Sequence, residues 1–200
     1  MTASSLSTKE SSKEAWLFLK RWIKHPLRLG AIAPSSSALA EKIANQVKLK
    51  DDQVVVELGA GTGSLTRKLI QHGIPLDRLY ILELDPELYS FLKLALPNAN
   101  VIHGNAIDLE KLLPPHCVGK VSTIISGMPV STMPFKLQKA IIDAAFKVMS
   151  ADGEIVQYSY RHTSPLPANR FGLDSKKLGI TFKNIPPATI WRYQRTAQAA

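Results

Sequence analysis

From residue 53 onward, short apolar runs alternate with stretches of helical periodicity. Val54-Val55-Val56, Leu79-Tyr80-Ile81-Leu82, Val101-Ile102-His103 and Val121-Ser122-Thr123-Ile124-Ile125 have the length and β-branched content of buried strands. A fifth strand is expected over 154–160. Apolar spacing between these runs predicts helices over 35–47, 64–72, 86–96 and 134–149. Pro86 and Pro134 suit a first helical turn, where the missing N–H has no partner to lose. The polar, proline-containing stretch 161–167 reads as a loop, followed by a helical patch over 169–178. Strands over 180–184 and 188–193, separated by Pro186-Pro187, close the pattern. Strand–helix alternation of this kind predicts an α/β fold, a mostly parallel sheet with helices on both faces. No internal repeat or second globular domain shows.

Upstream, the pattern changes. Trp16, Leu19, Trp22 and Ile23 fall on one helical stripe, widened by Leu17 and Phe18, while Lys13, Lys20, Arg21 and Lys24 lie largely opposite. Two readings fit: a helix lying in a membrane interface, and a helix docked on the sheet by its tryptophans. The expected organisation is a disordered tail over 1–10, N-terminal helices over 11–50 forming a membrane-interface element and a lid, and a core over 51–200.

Composition narrows the setting. Two hundred residues with 45% hydrophobic content suit one domain with a sizeable core. A single cysteine, Cys117, excludes an internal disulfide framework and fits a reducing compartment. No apolar run reaches the ~18 residues that span a bilayer, and the Ser/Thr-rich start lacks the apolar core of a secretory signal. The formal charge of +9 is uneven: residues 51–110 hold nine acids and four bases, whereas residues 161–200 hold seven bases and one acid. Residues 9–28 add six bases against two acids. Basic ends around an acidic centre point to an anionic partner, a membrane surface or nucleic acid.

The candidate chemistry sits at the strand ends. The first strand runs into Glu57, then Gly59, Gly61 and Gly63 at alternate positions. Glycines there let backbone approach a ligand closely. The dinucleotide pattern spaces its glycines differently, and Ser64 stands where its third glycine belongs. An acid at this turn disfavours pyrophosphate and favours a cation. Glu83 ends the second strand, roughly 20 residues past the glycines, where doubly wound folds place an acid for ribose hydroxyls. The motif resembles motif I of class I S-adenosylmethionine (SAM)-dependent methyltransferases, Glu/Asp-x-Gly-x-Gly-x-Gly. That resemblance implies a Rossmann-like, seven-stranded, mostly parallel sheet with an antiparallel C-terminal strand and, in this chain, an added N-terminal amphipathic helix. It implies a SAM pocket drawn from Pro34, Ser35, Glu57, Gly59, Gly61, Gly63, Glu83, Leu84, Asn105, Ala106 and Ser126. S-adenosylhomocysteine is the expected product, and no metal is expected. Asn105 stands where such enzymes often carry an aspartate for the adenine amino group, and its amide oxygen can still accept.

Further strings carry a narrower resemblance: Gly30-Ala31-Ile32-Ala33-Pro34-Ser35-Ser36, the Trp-Ile-Lys-His-Pro run before it, Ser126-Gly127-Met128-Pro129, and Asn184-Ile185-Pro186-Pro187-Ala188-Thr189-Ile190-Trp191-Arg192-Tyr193. They are similar to bacterial, membrane-associated phospholipid N-methyltransferases. That likeness implies methylation of phosphatidylethanolamine toward phosphatidylcholine, at the inner leaflet of the cytoplasmic membrane. Trp16, Lys20, Arg21, Trp22, Lys24, Ser36 and Tyr158 become candidates for lipid contact, and Tyr160 and Ser126 for orienting or deprotonating the amine. Ribosomal RNA adenine dimethyltransferases are the main rival, with other aminolipids such as ornithine lipid as a second. The adenine enzymes carry Asn-Leu-Pro-Tyr/Phe, whose aromatic stacks on the flipped base; here Val130 follows Pro129. Nucleic acid is therefore not the expected partner, and the oligomeric state is left open.

Overall fold

The computed structural model describes residues 37–183 and 186–196. After α1 (Ser37–Ala44), strands and helices alternate: β1 (Val54–Leu58), α2 (Ser64–Gln71), β2 (Leu79–Glu83), α3 (Pro86–Ala95), β3 (Asn100–His103), α4 (Leu109–Leu112), β4 (Val121–Ser126), α5 (Phe135–Val148) and β5 (Met149–Ser159). The chain ends in β6 (Leu173–Thr181) and β7 (Ala188–Arg195). One seven-stranded sheet results, in the order β3-β2-β1-β4-β5-β7-β6. β1 pairs in parallel with β2 and β4, β2 with β3, and β4 with β5. β7 inserts antiparallel between β5 and β6. This is the class I SAM-methyltransferase, Rossmann-like arrangement the glycine motif implied.

The strand sequences explain the two-sided packing. Val54, Val56 and Leu58 of β1 join Leu82, Ile124, Leu109, Leu137 and Ile141 in the core on one face. Val55 points the other way, with Ile81, Ile125, Leu39, Ile43, Leu65, Leu69 and Leu92. Alternate side chains of a strand leave opposite faces, so an unbroken apolar run fits only a sheet covered on both sides. β1 and β4 are neighbours whose chains depart in opposite directions, and the carboxyl ends of such a pair open a crevice.

The C-terminal third departs from expectation. The helical patch over 169–178 is a four-residue 3-10 turn, Ala168–Phe171, ended by Gly172 at φ 64°. Its remainder is the start of β6, whose Leu173–Lys177 segment pairs with β7. β6 therefore begins seven residues before the strand expected from residue 180. Asp174, Ser175, Lys176 and Lys177 are exposed on this edge strand, and their polarity imitates a solvated helix face. β5 also starts earlier, at Met149, which pairs with Val121 before a register shift. The predicted N-terminal helix, Trp16, Lys20, Arg21, Trp22 and Lys24, and the candidates Pro34, Ser35 and Ser36 lie outside the described residues.

Candidate active site

The glycine turn joins β1 to α2. Gly59, Gly61 and Gly63 adopt φ of 70°, 60° and 70°, the left-handed region that penalises a Cβ. A Cβ at Gly59 would lie 3.0 Å from Met128 Cγ, and one at Gly63 2.7 Å from Leu92 Cδ2. At Gly61 nothing lies within 4 Å, so its open side is free for a ligand's close approach. Packing therefore fixes the outer glycines, and the middle one borders open space.

Two buried carboxylates flank the turn. Glu83 accepts from the Gly61 N–H at 2.8 Å and from the Leu84 and Asp85 N–H groups at 2.9 Å each. Burial nevertheless pushes its carboxyl above the ordinary range, against the pull of these amides. Glu57 is 3% exposed and accepts the Thr66 hydroxyl at 2.6 Å. Burial raises its carboxyl to about 7, opposed by the Thr66 bond and helped by the charge of Glu83. A cation beside this pair would reverse the balance, because it favours the ionised form.

Next to the turn lies a thin apolar slot of about 30 Å³, lined by Gly59, Leu82, Leu84, Asn105, Ala106, Met128 and Met133, among others. Asn105 Oδ1 accepts the Ile107 N–H at 3.2 Å, which orients the amide and leaves Nδ2 buried without a partner. The oxygen expected to accept takes one N–H and keeps a second lone pair, and Nδ2 adds a donor. Asn105, with a buried amide donor that has no partner among the described residues, lines an apolar slot, a pairing that suits an aromatic ring bearing acceptor nitrogens. Together with the open face of Gly61 and the acids, the residues present fit the adenosine and the cationic centres of SAM.

A second cavity, about 380 Å³, opens beside β4 and β5, lined by Gly127, Met128, Pro129, Ser131, Thr132, Tyr158, Ser159, Tyr160, Arg161 and Pro186. Its floor depends on one contact. A Cβ on Gly127 would overlap Tyr158 Oη, so the phenol occupies the space a side chain at 127 would take. Tyr160 lines the same cavity and is half-buried. Ser126 is buried, and its hydroxyl accepts the Met128 N–H at 3.3 Å, a bond that shapes the connection after β4. Val130 is 3% exposed and packs in the core, so it presents no platform to the cavity. Gln157 was not among the residues singled out from the sequence. It is buried, and its amide donates to Met128 O at 2.9 Å, holding the β4 connection to β5. A lone amide inside the apolar run Ile155-Val156-Gln157 was the available signal.

Comparison with known proteins follows this geometry. The family model described as ribosomal RNA adenine dimethylase matches residues 35–160. An ornithine lipid N-methyltransferase of Singulisphaera acidiphila is 29% identical over 182 residues, covering 88% of this chain and 93% of that protein. A ribosomal RNA small subunit methyltransferase A of Ureaplasma urealyticum is 29% identical over 136 residues, 62% of this chain and 47% of that protein. The chain thus spans nearly all of the lipid enzyme and about half of the RNA enzyme. A precorrin-6y C5,15-methyltransferase of Geobacter metallireducens shares the fold, with a TM-score of 0.62, 18% identity, and coverage of 84% and 93%. An S-adenosylmethionine-dependent methyltransferase is what these findings describe.

Proposed function

This chain belongs to the ribosomal RNA adenine dimethylase family, and on that premise we propose that it N-methylates the headgroup amine of an aminolipid. The family's name describes RNA chemistry; the acceptor cavity supports a lipid amine. The observation that carries this reading is the Tyr158 phenol over Gly127, with Val130 turned into the core. The position that follows Pro129 offers no ring to a flipped base. Instead Tyr158 of β5 and Tyr160 just beyond it line the cavity, and an aromatic face suits an ammonium that gains methyl groups. Phosphatidylethanolamine is the substrate implied by the sequence pattern, and ornithine lipid is the one named for the relative that this chain nearly spans. Both present a primary amine near an anionic group, and Arg161 at the cavity is placed to meet that anion.

In this reading Glu57, Gly59, Gly61, Gly63, Glu83, Leu84, Asn105 and Ala106 hold the cofactor, joined by Pro34 and Ser35. Bound SAM supplies a methyl on a sulfonium for in-line transfer. The protein's part is alignment and exclusion of water, which supply most of the rate in such displacements. Ser126 and Gln157 fix the β4 connection that separates the two cavities. Tyr160 orients the amine, and the headgroup proton leaves to solvent before transfer. The N-terminal residues around Trp16, Lys20, Arg21, Trp22 and Lys24, with Ser36, serve the membrane side, placing the enzyme peripherally on the inner leaflet.

The test is methylation with radiolabelled SAM, offered phosphatidylethanolamine vesicles, ornithine lipid vesicles and ribosomal RNA in parallel. Label in either lipid and none in RNA is expected. Label in RNA alone would sink the reading.

A further inference from the structure

β6 and β7 form a hairpin whose last pair is Thr181↔Ala188. β7 runs against β5, and Ser159 at the end of β5 pairs with Thr189. The β6–β7 connection therefore emerges at the edge of the sheet where the cofactor turn and the acceptor cavity open. Pro186, within it, lines that cavity with Tyr158, Tyr160 and Arg161. Phe182, the first residue after β6, is 76% exposed, the most exposed phenylalanine among the described residues. Lys183 beside it is exposed, as is Arg161 at the cavity.

The strand ends that flank the tip are tied down. Thr189 Oγ1 lies 2.6 Å from Arg161 O and 3.0 Å from Ser159 O, and its one hydrogen, donated between them, ties the hairpin to the segment that follows β5. Lys42 Nζ of α1 donates to Ile180 O at 2.6 Å from the other side. A phenyl ring held out into water on a braced hairpin gains by entering an apolar phase. Flanking cations favour a phase whose surface is anionic. The charge agrees: residues 161–200 carry seven bases and one acid, while α1 brings Glu41 beside Lys42.

We propose that the β6–β7 tip, Phe182 with Lys183 and Arg161, is a membrane-docking element that sets the acceptor cavity mouth against an anionic bilayer. It is distinct in sequence from the N-terminal stretch proposed for attachment and does a different job. A helix of that kind provides attachment, whereas a braced tip beside the cavity provides orientation, so that a headgroup enters without the lipid leaving its leaflet. The inference rests on the aminolipid reading for what enters the cavity, but the contact itself is measurable without any substrate.

The experiment uses the full chain. Cys117 is the sole cysteine and is buried, so a Phe182→Cys variant takes an environment-sensitive fluorophore at the tip. An Asp52→Cys variant places the same label at the opposite edge of the sheet, just before β1. Both are titrated with phosphatidylglycerol–phosphatidylcholine vesicles, which contain no primary amine. A blue shift and several-fold brightening at 182, with 52 silent, are expected. In unlabelled protein, Phe182→Glu should lower vesicle partitioning about tenfold. Its melting temperature, and its methylation of a short-chain aminolipid held below its micelle concentration, should match the parent. Sedimentation with vesicles while position 182 stays silent would overturn the proposal. So would equal responses at 182 and 52, or a response at 182 to ribosomal RNA and not to vesicles. If position 182 responds but no aminolipid is ever methylated, the docking surface stands and the acceptor reading falls.

Discussion

At the scale of single residues, Glu57 carries the largest electrostatic consequence. Its carboxyl stands at about 7 when folded, against 4.5 for the free group, because burial disfavours the charge. The folded state therefore holds a proton that the unfolded chain releases as pH rises through this interval. Stability falls from about pH 4.5 to about pH 7 and levels off above, a loss of about 3 kcal/mol for a shift of this size. Glu57→Gln keeps the Thr66 bond and removes the titration. Thermal melts at pH 5 and pH 8 should show the parent losing stability and the variant holding it, and calorimetry should show the variant binding SAM more weakly. If parent and variant respond alike to pH, Glu57 is not the group responsible. Gly127 makes a second residue-scale claim. Because Tyr158 Oη occupies the place a Cβ would take, Gly127→Ala must displace the phenol. Lipid turnover should drop tenfold or more, at ~1.4 kcal/mol per factor of ten, while SAM affinity is kept. Adding Tyr158→Ala should remove the clash, so non-additive kinetics in the double variant is the diagnostic.

Among the elements, β5 does the most joining. Its Gln157 amide reaches Met128 O, and its neighbour β7 presents Tyr193, whose hydroxyl lies 2.7 Å from Ser164 Oγ and accepts the Leu166 N–H at 3.4 Å. One bond holds the β4 connection and the others hold the loop after β5. Gln157→Leu removes the amide's bonds to Met128 O and Tyr158 O while the Val130 N–H still serves Met128 O, and should cost about 1 kcal/mol in chemical denaturation. It should also raise the KM for lipid, since the wall between the cavities loosens. A stability loss with unchanged lipid KM would confine Gln157 to a structural part. The same elements mark what sequence can tell. β1, β2, β3 and β4 were legible because a run buried on both faces needs no partner to declare itself. β6 was not, because its exposed Asp174–Lys177 stretch becomes a strand only through pairing with β7. Likewise Glu57, Glu83 and the glycines announced a cofactor by spacing, whereas the Tyr158–Gly127 contact joins residues from two strands and exists only once the sheet has formed.

For the whole molecule, charge and shape point the same way. Basic residues gather in the C-terminal third and the N-terminal stretch, and the acidic middle holds the glycine turn. The two proposed membrane contacts, the N-terminal stretch and the β6–β7 tip, would combine through effective concentration, so their losses should multiply. Deleting residues 1–24 should cut vesicle sedimentation at least tenfold, and combining the deletion with Phe182→Glu should bring it to background. Sedimentation unchanged by the deletion would make the N-terminal helix a structural element.

One consequence follows from the exposed face of β6. A sheet with open sides offers a row of unpaired amides to any passing strand, and β6 is such a side, carrying Lys176 and Lys177 in solvent. Two like charges on an outer strand repel a second copy that would extend the sheet. The lysines thus guard solubility, at the end of the molecule farthest from β3. Replacing both with valine would leave the fold intact and turn that side into a template. Heated samples would then scatter light and bind amyloid dyes at concentrations where the parent stays clear.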